Sequence, residues 1–341
     1  MSRLPALVLL VVTLSACGSS SSPVASAPSL APPSASPSSA APIPTARWAL
    51  TGLPRPDDAT AAPALSIKID NAPAARPQSG LNQADLVFEC LVEGGLSRFL
   101  AVFQSQSSPL VGPIRSARPV DAALLRALRG GIFSYSGAAE GEIAPVRASA
   151  RAVLLSRDQS PGSFFRQPGR SAPQNVFATT EVLRAGAGER GAAQPVPLPL
   201  FQYGPPTPGA AAAAFAALTV GAQSTSRWTW QGSAWSRQES GRPHLLADGA
   251  QVTASNVVVL HVAVRGSGIK DAAGNEDPYV LATGSGRAEF LRDGLLQRGT
   301  WSRPSMAAPY VFRTDAGEPM TLTPGNTWVE LVPNAGQATY G

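Results

Sequence analysis

Two short apolar runs, residues 86–92 and 99–104, flank the pair Gly94-Gly95, and this arrangement admits few folds. It reads as two strands joined by a tight return. Side chains alternate across a strand, so Asp85, Glu89 and Glu93 share one face of the first run, with Leu86, Phe88, Cys90 and Val92 on the other. One face is expected to meet a core and the other to carry acid. The wider stretch 82–119 also holds Arg98, Arg115 and Arg118, so three acids and three arginines lie within it.

Glu89 and Glu93 lie four residues apart, about 13 Å along an extended strand at ~3.3 Å per residue. That is too wide for the acid and base of a retaining glycosidase unless the turn folds Glu93 back. Charged hairpin edges, with Glu93 beside Arg98, are the simpler reading. Arg115 and Arg118, in Gly112-Pro-Ile-Arg-Ser-Ala-Arg-Pro119, precede a helix expected over 119–128. Pro119 suits its first position, Asp121 its first turn, and Gly130-Gly131 its end. A cation at a helix N-terminus costs roughly 0.3–1 kcal/mol when exposed, so an anion is expected nearby. Glu89 or Glu93 could supply it, or an external phosphate or carboxylated glycan held by both arginines and free helix N–H groups. A calcium- or salt-dependent assembly surface is a further alternative.

At the start, Arg3 and the apolar run 4–14 lead into Leu14-Ser-Ala-Cys17. This is a secretory leader too short to span a bilayer as a mature helix, ending in a bacterial lipobox. Cys17 is expected to become the lipidated first residue, anchoring the protein to the outer face of the cytoplasmic membrane. Residues 18–47 are mostly Ser, Pro and Ala, a composition that buries nothing and behaves as an extended tether. Cys90 is then the only thiol of the folded part, so no intramolecular disulfide is available.

The whole chain, 341 residues at 44% apolar content, has room for two domains with a core in each. Strand patterns near 64–70 and 131–136 alternate with helical patterns at 119–128, 138–149 and from 179, giving an α/β or α+β N-terminal domain over 48–195. A Gly-, Pro- and Ala-rich linker is expected at 196–209. Over 210–341 short strand-like pieces around Trp228, Trp235, His261, Phe290, Trp301, Phe312 and Trp328, separated by turn residues, predict a smaller, mostly-β C-terminal domain.

The net charge of +5 comes almost wholly from arginine, Lys68 and Lys270 being the only lysines. No basic block occurs, which argues against nucleic-acid binding. His244 and His261 stand in different elements, so no histidine-rich zinc site and no metal is expected. The run Asp271-Ala-Ala-Gly-Asn-Glu-Asp277 lacks the EF-hand spacing and reads as a polar turn. No nucleophile elbow, P-loop or dinucleotide fingerprint is present, and no cofactor is expected.

Several pieces of the chain resemble the YerB-like bacterial lipoproteins, the family known as domain of unknown function 3048. In the first half they are Ile69-Asp-Asn71, Ala75-Arg-Pro-Gln-Ser-Gly-Leu81, Val92-Glu-Gly-Gly95, Ser97-Arg-Phe-Leu100, Gly112-Pro-Ile-Arg-Ser-Ala-Arg-Pro119 and Ala172-Pro-Gln-Asn175. In the second they are Asn256-Val-Val-Val259, Gly299-Thr-Trp-Ser-Arg303 and Pro324-Gly-Asn-Thr-Trp-Val-Glu-Leu-Val332. The resemblance implies a two-domain envelope lipoprotein and assigns no chemistry. Relatives have histidine where this chain has Gln174, which argues against an essential acid or base there. A looser similarity in residue type and compartment is to the LytR-CpsA-Psr envelope phosphotransferases, which hold a lipid pyrophosphate with arginines beside a strand.

The candidate anion- or ligand-binding residues are therefore Arg76, Arg115, Arg118, Arg170 and Asn175, with Asp70, Asp85, Glu89 and Glu93 as acidic partners. The primary expectation is a non-enzymatic anchored protein that binds an envelope glycan, an anionic wall component or a protein through this cluster. The alternative is a phosphotransferase or hydrolase acting on a phosphate-bearing substrate at Arg76, Arg115 and Arg118.

Overall fold

A computed structural model of the chain describes residues 46–190, 194–270 and 274–341. The leader, Cys17 and nearly all of the expected tether lie outside the described residues. In the first half, β1 (Leu65–Asp70), β2 (Leu86–Leu91), β3 (Ser97–Phe103), α1 (Val120–Ala127), β4 (Gly131–Tyr135), α2 (Glu140–Ser149), β5 (Ala152–Ser156) and α3 (Thr180–Gly188) follow in order. In the second come β6 (Phe215–Gly221), β7 (Ser224–Trp230), β8 (Trp235–Glu239), β9 (Asn256–Val262), β10 (Gly284–Arg292), β11 (Leu295–Arg303), β12 (Val311–Thr314) and β13 (Thr327–Pro333), with shorter strands between. The first half is α/β and holds the α-helices of the described residues, while the second is mostly β, as the patterning predicts.

The local reasons are those the sequence offers. Asp121, in the first turn of α1, accepts the Arg118 N–H at 2.8 Å and pairs with Lys68 at 2.7 Å, so one carboxylate holds the segment that leads into the helix and ties the helix to β1. Thr179 caps α3 by accepting from the Val182 N–H at 3.1 Å. The residues after α1 adopt left-handed backbone, with Arg129 at φ 64° and Gly130 at φ 97°.

The two halves do not keep separate cores. One eleven-stranded sheet runs β12-β11-β10-β9-β13-β2-β3-β1-β4-β5, with Ala211–Ala212 added beside β11. The strand β13 is the seam, pairing in parallel with β9 of its own half and with β2 of the other. One face of this sheet packs under α1 and α2 through residues such as Phe88, Leu124, Val146, Val258 and Val329. The other packs on α3 and on a second sheet built around β6–β8, through Val87, Leu183, Leu218, Trp228 and Trp328. Each core contains residues of both halves. The expectation of a core in each half is corrected by this seam, because a central parallel strand must bury both of its faces.

The same geometry revises the acid face expected on β2. Both faces of that strand are buried, and Glu89 is only 1% exposed. Phe88 and Cys90 point into the helical layer while Val87 meets the second sheet. Glu89 shares Val87's parity, so it needs a partner from that second sheet.

Candidate functional site

That partner is Arg237 on β8. Glu89 and Glu330 sit opposite each other in the parallel β2–β13 ladder, directly at the seam. Arg237, fully buried, donates from Nη2 to Glu89 Oε2 at 2.6 Å and from Nη1 to Glu239 Oε2 at 2.6 Å. Its guanidinium carbon lies 5.0 Å from the Trp328 ring centre, 5.3 Å from Phe99 and 5.8 Å from Trp228. Aromatic faces and carboxylates thus enclose one fully buried cation.

Three buried carboxylates face this one guanidinium, and their charges divide accordingly. Burial works against the Glu89 anion, but Arg237 beside it holds its pKa below the ordinary carboxylate value. Burial and the neighbouring Glu89 charge push Glu330 well above that value, which favours its neutral form. It accepts the Trp228 indole N–H at 2.7 Å. Burial alone would lower Arg237, yet Glu89, Glu239 and Glu330 raise it.

A neutral polar relay extends outward. Asn71 Nδ2 donates to Ser97 Oγ at 2.9 Å and to Glu239 Oε2 at 3.2 Å. Gln78 Nε2 donates to the Asp70 carbonyl at 3.1 Å and to Asn71 Oδ1 at 3.2 Å. Gln78 Oε1 must therefore accept, and His244 Nε2 lies 2.9 Å from it. His244 Nδ1, at 2.7 Å from Arg237 Nη1, must in turn accept. The imidazole is thus the neutral Nε2–H tautomer, matching a pKa driven well below normal by burial, Arg237 and Arg76.

Above this cluster lies a groove of about 760 Å³ lined by Arg76, Glu239, Arg242 and His244 together with Pro73, Pro77, Pro243, Leu245 and Leu246. Glu239 and His244 form its polar floor, both nearly fully buried. Arg76 donates to the Asn71 carbonyl at 3.0 Å and stands 3.5 Å from Glu239. Its Nε is buried without a partner. Arg242 is exposed and its side chain makes no hydrogen bond or ion pair. The surface is therefore cationic above and apolar along its walls.

The other residues singled out from the sequence fall into separate places. Arg115 donates to Asp70 Oδ2 at 3.1 Å, an oxygen that also accepts from Gln174 at 3.3 Å. Arg118 is buried and bonded to Glu93, with Glu142 at 3.2 Å and Asp277 at 3.3 Å. Glu93 also takes Arg98 at 2.7 Å, and these two arginines bring its pKa below normal despite burial. Burial, opposed by Arg118, lifts Asp277 to about 7. Asp85 accepts from the backbone of Gln104 and Ser105 and from the Ser105 hydroxyl, fixing the end of β3, and burial raises its pKa. Arg170 donates to the Ala75 and Pro77 carbonyls at 3.1 and 2.9 Å, clamping the turn that carries Arg76. Asn175 braces the Arg170 loop, donating to the Arg170 carbonyl at 3.2 Å and accepting from Arg166 at 2.6 Å. Arg76, Arg115 and Arg118 thus do not converge on one space; their nearest carboxylates are Glu239, Asp70 and Glu93 respectively.

Sequence reasoning missed Arg237, Glu239, His244 and Glu330. A signal for the first two was present: in Trp235-Ser-Arg-Gln-Glu239 the arginine and glutamate share the parity of Trp235, so a buried indole carries both inward. Among the described residues, no group of three or more His, Cys, Asp or Glu side chains is arranged to hold a metal ion.

Comparison with known proteins places these features in a wider set. The N-terminal domain of the family described as "Protein of unknown function (DUF3048)" matches residues 50–193, and its C-terminal domain matches residues 216–329. The chain is 34% identical over 142 residues to the Bacillus subtilis protein named "Putative lipoprotein YerB". That alignment spans 42% of this chain and 43% of the relative, less than half the length of either. The crystal structure of YerB from Bacillus subtilis superposes with a TM-score of 0.74 at 24% identity, covering 86% of this chain and 99% of that one. The likeness to that structure is one of fold.

Proposed function

The chain belongs to the DUF3048 family, and from that premise we propose that it is a lipid-anchored envelope protein that works by binding an acidic wall or glycan component in the groove above the Arg237 cluster. The name of the curated relative supports the lipoprotein assignment, and the leader ending at Cys17 supports anchorage to the outer face of the cytoplasmic membrane. The groove supplies the binding half of the reading. One observation carries it: among the described residues Arg242 has no hydrogen-bond or ion-pair partner, and it stands on the wall of a groove of about 760 Å³ whose own acid, Glu239, is already engaged by Arg237 and Arg76.

Two cationic heads favour a carboxylate or phosphate, and the proline and leucine walls favour a sugar-ring or aliphatic face. The neutral His244 and the engaged Glu239 are occupied in holding the floor, so the groove recognises its ligand without an acid–base pair free to act on it.

The test is calorimetric titration of the lipid-free full chain (Cys17→Ala) with purified acidic wall glycan. Arg76→Gln and Arg242→Gln should each weaken binding by about tenfold, the worth of one charge-assisted hydrogen bond. Affinity unchanged from the parent in both variants would remove the groove from the reading. Turnover of any envelope precursor, abolished by Arg115→Ala, would replace binding with catalysis.

A further inference from the structure

A second cationic cavity lies away from the groove, at the end of the sheet where β4 and β5 begin. Arg126, Arg129 and Arg151 line it with Gln194, Pro195 and Ala307, around a volume of about 480 Å³. We propose that this cavity binds a phosphate group, separately from the groove above the Arg237 cluster.

The argument starts from where arginines elsewhere in the molecule spend their charge. Nearly every other described arginine bonds a carboxylate, a carbonyl or another side chain, or stacks on a ring, as Arg303 does with four carbonyls and Arg227 with Phe215. Among the described arginines only Arg126, Arg151 and Arg242 have side chains with no such partner. Arg242 belongs to the groove; the other two share this cavity. Arg129, the third guanidinium, makes a single long contact of 3.4 Å to the Val196 carbonyl.

Helix ends alone do not explain the cluster. Arg126 lies in the last turn of α1, Arg129 follows that helix, and Arg151 follows α2, so each gains from the negative end of a macrodipole. A side chain serving as a cap would bond the free terminal carbonyls. Arg126 and Arg151 bond none.

The backbone adds an independent observation. Arg129 at φ 64° and Arg151 at φ 56° both adopt the left-handed conformation, which glycine enters freely and other residues only at a cost. Arginine stands at both positions. The two turns are also locked together: a Cβ on Gly130 would come within 2.1 Å of the Arg151 carbonyl oxygen, so the α1–β4 turn rests directly on the start of β5. Gln194 closes one wall by accepting the Gly131 N–H at 3.2 Å. Three arginines are therefore placed by adjoining turns around one space, and among the described residues no carboxylate is bonded to any of them. Forked guanidinium donors suit the oxygens of a phosphate better than a lone carboxylate.

A phosphate could come free in solution or on a lipid headgroup, and the two arms of the test separate them. The lipid-free full chain (Cys17→Ala) is titrated with inorganic pyrophosphate and, in parallel, with dihexanoyl phosphatidylglycerol kept below its micelle concentration, binding being read by calorimetry and ³¹P line width. Saturable binding of either probe is expected, with one component belonging to this cavity beside any in the groove. The double variant Arg126→Gln/Arg151→Asn should weaken it by roughly tenfold or more, asparagine being chosen because it tolerates left-handed backbone. Arg242→Gln, in the groove, should leave it unchanged. Preference for pyrophosphate assigns free phosphate, and preference for the short lipid assigns a headgroup. If the double variant does not fold, Arg126→Gln alone, on the surface of α1, should still lose several-fold. The proposal is overturned if neither probe binds saturably, if the cavity variants bind within twofold of the parent, or if Arg242→Gln abolishes binding.

Discussion

Arg237 is the residue on which the second sheet's attachment turns. It neutralises Glu89 from the first half and Glu239 from the second, with all three side chains buried. Arg237→Met preserves bulk and contact with Trp328 but leaves two buried carboxylates uncompensated, and the expected cost is about 3–5 kcal/mol in urea unfolding. Asp277 behaves in the opposite sense. Its folded pKa of about 7 lies above its unfolded value, so the folded state keeps a proton that the unfolded chain has already released. Its contribution is present in full below the unfolded pKa of about 4 and is lost as pH rises towards 7. Asp277→Asn should flatten the stability-versus-pH curve in that window, read from urea midpoints at a series of pH values. An unchanged slope would show that Glu93, Glu142 and Arg118 around it set the titration instead. At this scale the sequence was legible where a charge had a neighbour in the chain, as for Glu93 with Arg98. It was silent where the partner lay more than a hundred residues away, as for Glu89 with Arg237.

At the level of elements, β2 shows how far alternation can be trusted. Its apolar runs and the turn at Gly94 were plain in the sequence, and so were α1, with its Asp121, and α3. What alternation could not reveal is that β2 is central. A strand with one acid among apolar residues looks half exposed until a second layer supplies a cation. Cys90, on the helix-facing side of β2, reports on that burial: its thiol is pushed up to about 12 by desolvation. Thiol-exchange labelling at pH 8 should therefore proceed only through unfolding, at a rate that increases with urea along with the loss of structure. Rapid labelling of the native protein would contradict a fully buried β2. The groove was partly legible too, since the turn at Arg76 was singled out from residue type. Its opposite wall at 239–249 follows β8, a strand that carried no chemical motif.

For the whole molecule, the two family domains are regions of sequence more than independent bodies. Composition and turn patterning located an α/β half and a β half, but nothing local in the chain says that β13 will lie between β9 and β2. Each half expressed alone leaves a long apolar strand edge bare, β2 in the first and β13 in the second. We expect both halves, cut within the expected linker at 196–209, to be insoluble or unfolded when produced separately and to recover native circular dichroism when co-expressed. The intact chain should unfold in a single transition, with tryptophan fluorescence and far-ultraviolet dichroism coinciding. Two separated transitions would mean that the seam contributes little.

The position of β13 also sets an order of events. A chain made from its N-terminus presents the Leu86–Leu91 edge long before residues 327–333 exist to cover it. At roughly 5–20 residues per second, that edge waits on the order of tens of seconds. The central ladder cannot close, and Glu89 cannot meet Glu330, until the second half has been delivered. Completion of this fold is in effect a read-out that nearly all of the chain has arrived, and a chain cut short before β13 is marked as incomplete by its own open sheet.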